Sequence, residues 1–118
     1  MVGGVLGLGS CGAFPSSVPP NVATSESEGS GMDALMSGTL RITDACVTVE
    51  GEDGSVTIPK FPRGQVAVGA DGLEFNGHTY ADGDRIELGG GEGRAGDRSG
   101  VPQGCPDVGF WVVAPSEG

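Results

Sequence analysis

Glycine and proline interrupt this chain so often that a regular helix has nowhere to run. Twenty-four glycines and eight prolines occupy 32 of its 118 positions, and both residues are costly inside helices. A coiled coil or helical bundle is excluded, and at this length one domain is the expectation. Leu, Ile, Val and Phe supply only 26 residues, just above the level below which a chain usually cannot bury enough apolar surface to fold.

The chain divides at Gly38. Residues 1–37 carry three acids and no base, and from Phe14 to Ser37 the text is rich in Pro, Ser, Gly and Glu with no hydrophobic period. Such a segment reads as a disordered tether, because it cannot offset its ordering entropy. From Gly38 onward apolar residues alternate with polar ones in short runs closed by turn residues, the period of a half-buried strand. Leu40 and Ile42 share one face of a first run, and Cys46 to Val49 forms a second. Ser55 to Ile58 is stopped by Pro59 and Pro62, and Gln65 to Val68 follows. Leu73-Glu74-Phe75 and His78-Thr79-Tyr80 flank Asn76-Gly77, the dipeptide preferred in type I′ hairpins. Arg85 to Leu88 precedes a loop from Gly89 to Gly104, and Phe110 to Val113 closes the domain.

Six or seven short strands, mostly 8–12 residues apart in a span of about eighty residues, predict an all-β domain over residues 38–118. A small, partly closed, OB-like barrel of antiparallel strands is favoured over an immunoglobulin-like sandwich. Closure removes exposed edges, and the only Trp lies beside the second domain cysteine rather than between the two.

Six Lys and Arg stand against 16 Asp and Glu, a formal net charge of −10. No basic stripe exists to neutralise phosphates, so nucleic acid is excluded as a partner, as is a polybasic contact with anionic lipid. Acidity of this kind serves solubility, and a monomer is expected.

Three cysteines separate into two roles. Cys46 lies in the first strand pair and Cys105 just before the last strand. A disulfide between them would tie the two ends of the domain together, worth about 4 kcal/mol on the chain-entropy model. The other reading is two buried free thiols in a reducing compartment. A glycine-rich domain with a thin core favours the disulfide. Cys11 follows Leu8-Gly9-Ser10 at the end of an apolar start and precedes the tether.

Leu8-Gly9-Ser10-Cys11 resembles a bacterial lipobox. The resemblance implies that residues 1–10 are the remnant of a truncated signal peptide and that Cys11 carries a lipid. It further implies that 11–37 tether the domain to the outer face of the cell membrane. A basic n-region, usual at the start of such a leader, is missing before Arg41. The folded part resembles small all-β lipoproteins frequent in actinobacteria. Gly38-Thr39-Leu40, Cys46, Phe61-Pro62-Arg63-Gly64, Gly83 to Gly91, Cys105 and Phe110-Trp111-Val112-Val113 carry that likeness, which brings no activity with it.

No catalytic constellation assembles from the sequence. Gly91-Glu92-Gly93-Arg94-Ala95-Gly96 fits a dinucleotide-binding pattern, but Pro102 and the lack of helical period deny it the helix that receives a pyrophosphate. Asp82-Gly83-Asp84 lacks the later ligands of a calcium loop and reads as a turn. With one histidine and two paired cysteines a zinc site fails on ligand number, and no metal or cofactor is expected. The long glycine-rich loop is the one feature that folding alone does not demand. Its Arg94 and Arg98, two of six basic residues within five positions, are the candidate partner or ligand site. The leading expectation is a lipid-anchored, non-catalytic binding or structural module of the cell envelope. Two alternatives are a small envelope hydrolase using His78 with Asp82 or Asp84, and an inhibitor or accessory subunit of a larger envelope enzyme.

Overall fold

Leu40 and Ile42, like Ile86 and Leu88, sit two residues apart, so a strand at either place turns both side chains to one side. The computed structural model describes residues 19–26 and 34–115, and there these alternations become the walls of a barrel. Nine strands and no helix occur among the described residues. They are β1 (Ala23–Ser25), β2 (Ala34–Ile42), β3 (Val47–Glu50), β4 (Val56–Pro62), β5 (Val66–Gly69), β6 (Gly72–Phe75), β7 (His78–Tyr80), β8 (Arg85–Glu92) and β9 (Gly109–Val113).

Five of them close on themselves. β2 pairs with β3 and β3 with β4, β8 returns beside β2, and β9 fills the gap between β8 and β4. Numbered along the chain the barrel runs 1-2-3-5-4 and back to 1, the Greek-key order of an OB barrel. β2 is shared across two pairings: residues 34–39 meet β8 and residues 39–42 meet β3. The contact of β9 with β4 is parallel, as is that of β1 with the end of β4, so the sheet is mixed rather than wholly antiparallel.

The connection from β4 to β8 is a three-stranded antiparallel meander, β5 to β7. Its Asn76-Gly77 turn has φ of 57° and 80°, both positive as a type I′ hairpin requires. Val66, Leu73 and Phe75 of the meander join the barrel's interior with Leu40, Phe61, Ile86, Leu88 and Trp111. Phe75 meets Phe61 edge-on with ring centroids 5.1 Å apart, a favoured aromatic geometry.

A second, smaller apolar layer lies apart from that interior. Ala23, Ile58, Phe110 and the two cysteines form it, with Val101 and Val108 of the loop packed against them. Because side chains alternate, Ile58 of β4 belongs to this layer and Phe61 to the barrel core; Phe110 and Trp111 of β9 divide in the same way. Cys46 and Cys105 are joined, Cα to Cα 4.9 Å, as the sequence leads one to expect.

Three boundaries differ from the sequence reading. The tether expected over 11–37 is interrupted: Val22 and Ala23 are buried, β1 pairs with β4, and β2 starts at Ala34 rather than after Gly38. A three-residue strand carries no period of its own, and its burial comes from a partner some forty residues away. β4 runs through Pro59 to Pro62. On one edge β3 pairs only as far as Thr57 and β1 begins at Lys60, leaving a gap where a missing N–H breaks no ladder. β8 continues through Gly89, Gly90 and Gly91, placed in the loop by their composition. Gly90 has φ 145°, and a Cβ there would run into the Val112 carbonyl. Only glycine lets β8 and β9 approach so closely.

Candidate functional site

The loop between β8 and β9 folds back over the outer layer and builds a cleft. Arg98 holds the loop's curve, donating to the carbonyls of Pro102, Cys105 and Pro106 at 3.5, 3.2 and 3.3 Å. The Cys46–Cys105 bridge fastens its far end. Midway along, the Thr24 N–H of β1 donates to the Gly100 carbonyl at 3.0 Å, docking the loop on the edge strand. The two arginines singled out in the sequence therefore part company. Arg98 spends its donors on the loop's own backbone, and Arg94 lines the cleft.

Lys60 forms the cleft's floor. It sits on the Ile58 side of β4, under the loop, and is only 4% exposed. Its Nζ donates to the Asp97 carbonyl at 2.6 Å, lies 3.8 Å from Asp97 Oδ2 and stands 4.5 Å from the centre of the Phe110 ring. A buried ammonium needs such partners, because burial without them costs several kcal/mol. Around it stand Thr24, Glu26, Arg63, Arg94, Asp97, Ser99 and Val112, enclosing about 470 Å³, a volume suited to a small ligand. Arg63, just past β4, pairs with Glu26 at 2.7 Å.

Asp97 is tied down twice. Its Oδ1 accepts from the Ser99 hydroxyl at 2.7 Å and the Ser99 N–H at 3.2 Å. The hydroxyl bond first, the N–H bond second, and then the charges of Lys60 and Arg94 hold its carboxyl below the ordinary aspartate value.

The residues of the hydrolase alternative are not assembled. Asp82 Oδ1 accepts from the Ile42 N–H and Asp84 Oδ2 from the Ala81 N–H, each at 2.8 Å. His78 is exposed on β7, its ring 6.0 Å from that of Tyr80. It lines a separate hollow with Gln65, Glu74 and Thr79, to which neither aspartate contributes. Among the described residues no group of three or more His, Cys, Asp or Glu is placed to hold a metal ion, and no helix is long and apolar enough to cross a membrane. Trp111 belongs to the barrel core. Cys11 lies outside the described residues.

Lys60, Arg63 and Asp97 escaped the sequence reading. The available signal was a lysine inside the otherwise apolar Ile58-Pro59-Lys60-Phe61-Pro62, since a charge in a buried strand usually has a partner. The partner, 37 residues away, could come only from the fold. Compared with protein-family models, curated proteins and solved structures, the chain matches none.

Proposed function

We propose that this protein is a non-catalytic binding module, lipid-anchored through Cys11 on the outer face of a bacterial cell membrane, with the Lys60 cleft as its recognition site. The observation that carries the reading is the cleft itself. Three of the six basic residues of a chain with net charge −10 converge there, one of them buried. Folding alone rarely buries a lysine, and a concave site with a few convergent polar groups is the usual form of a ligand site. Binding is favoured over hydrolysis because the carboxylates of Asp82 and Asp84 are engaged by backbone amides and His78 stands apart from them.

The envelope address rests on the lipobox-like Leu8-Gly9-Ser10-Cys11, and a disulfide suits an oxidising compartment. Two acyl chains give stable anchoring where one does not. Feeding host cells an alkyne fatty acid tests the anchor: the protein expressed from its own locus should take the label and sediment with membranes. Cys11→Ala should abolish both. A label that survives Cys11→Ala, or none on the unaltered protein, would remove the anchor from the proposal.

A further inference from the structure

The charges around Lys60 do not cancel. Lys60, Arg63 and Arg94 bring three positive charges to the cleft, Glu26 and Asp97 two negative ones. Glu26 is engaged by Arg63 and Asp97 by Lys60. The Arg94 carbonyl accepts from the Asp97 N–H at 3.1 Å, but its guanidinium makes no hydrogen bond or ion pair among the described residues, though its charge reaches Asp97. The lining is thus left with one uncompensated positive charge, on an exposed guanidinium at the mouth of a site whose floor is a buried ammonium.

Asp97 shows how the Lys60 ammonium is held at rest. Its Oδ2 lies 3.8 Å from Lys60 Nζ, a distance beyond hydrogen-bonding range. The contact that holds Lys60 is the Asp97 backbone carbonyl at 2.6 Å. Lys60 therefore keeps donor capacity, since an ammonium carries three N–H groups. A carboxylate occupies the approach to it without using it fully.

We infer that the cleft binds the carboxylate of a small organic monoanion, received by Lys60 and Arg94, and that the Asp97 side chain stands in the ligand's place when the cleft is free. This rests on the reading of the cleft as a recognition site and adds the chemistry of what it recognises. A single negative charge balances the lining, whereas a second would meet Glu26 and Asp97 and the field of a strongly acidic chain. The guanidinium fork matches a planar carboxylate in two parallel bonds. Val112 and the apolar stem of Lys60 offer the ligand's body a dry wall. Asp97 competes for the same cations, so it weakens binding.

Titrating the isotope-labelled full chain with sodium acetate and with sodium benzoate, against sodium dimethyl phosphate and against sodium chloride at equal ionic strength, tests this by amide NMR. The carboxylates should give saturable shifts at Thr24, Asp97, Ser99, Gly100 and Val112 that chloride does not. Arg94→Gln, at an exposed position whose guanidinium makes no hydrogen bond among the described residues, should weaken carboxylate binding about tenfold. Asp97→Asn, which keeps the acceptor for Ser99 and loses the charge, should tighten it about threefold. Tighter binding in Asp97→Asn is the outcome a merely structural aspartate would not give. Unchanged or weaker binding there overturns the stand-in role. Dimethyl phosphate saturating the same amides while carboxylates track chloride would overturn the carboxylate class and leave the recognition site standing. If no anion saturates them, both readings fall.

Discussion

The barrel interior and the layer outside it are built by different means from neighbouring residues of the same strands. Inside, Leu40, Phe61, Ile86, Leu88 and Trp111 meet because they alternate along paired strands. Outside, Ile58, Phe110 and Ala23 are covered by a glycine-rich loop whose hold is a disulfide, the Arg98 contacts and the Thr24–Gly100 bond. The interior is closed by strand pairing and side-chain packing. The outer layer is too small to close by burial alone, and it is the one that carries a buried charge and a cleft. The proposed site lies on the less self-sufficient layer, as is usual for sites on loops held by a rigid scaffold.

The contrast can be broken most forcefully at the disulfide. Replacing Cys46 and Cys105 together by Ala should cost about 4 kcal/mol in denaturant unfolding. Hydrogen exchange should show protection lost first over residues 93–108 while the barrel amides of β2 and β8 stay protected. Equal loss in both would mean that the two layers unfold as one.

Next in size is the interior. Leu40→Ala removes a fully buried side chain and should cost about 3 kcal/mol. Its native spectrum should keep the cleft resonances in place below the unfolding midpoint. Movement of Ser99 and Gly100 in that variant would tie the site to the core more closely than the separation of the two layers implies.

The smallest effect is the pH response of the outer layer. Asp97 is held below the ordinary aspartate value of 3.8 by the Ser99 hydroxyl foremost, then the Ser99 N–H, Lys60 and Arg94. A carboxyl lowered in the folded state contributes stability that is complete above the ordinary value and is lost as pH falls through the lower, folded one. Side-chain carbon NMR should therefore place the Asp97 midpoint below 3.8, with loop amides loosening in that window and barrel amides not. Lys60→Met should move the midpoint upward. A midpoint at or above 3.8 would contradict the arrangement of Asp97 among Ser99, Lys60 and Arg94.

Much of the barrel was legible because strand alternation is local. The runs around Leu40, Val47, Leu73 and Ile86 announced themselves, and Asn76-Gly77 announced its turn, since positive φ at two successive positions is a property of those residues themselves. The Cys46–Cys105 bridge was legible through a different argument, the thinness of the core. Gly89 to Gly91 was misplaced because glycines have no side chain with which to show a strand period. Ala23 to Ser25 was misplaced because three residues are too few to show one.

By itself, then, the sequence determined a small all-β domain, an OB-like closure and one disulfide. Each follows from residue spacing, composition or backbone preference, which can be read without knowing which residues meet. The tertiary structure decided which face of β4 is inside, and that choice sends Phe61 to the core and Lys60 to the outer layer. It also decided that the loop starting at Gly93 folds back over Lys60, bringing Arg94 and Asp97 to a lysine more than thirty residues earlier in the chain. The physical reason is that this cleft is a meeting of strand, edge and loop, and long-range pairing sets where they meet.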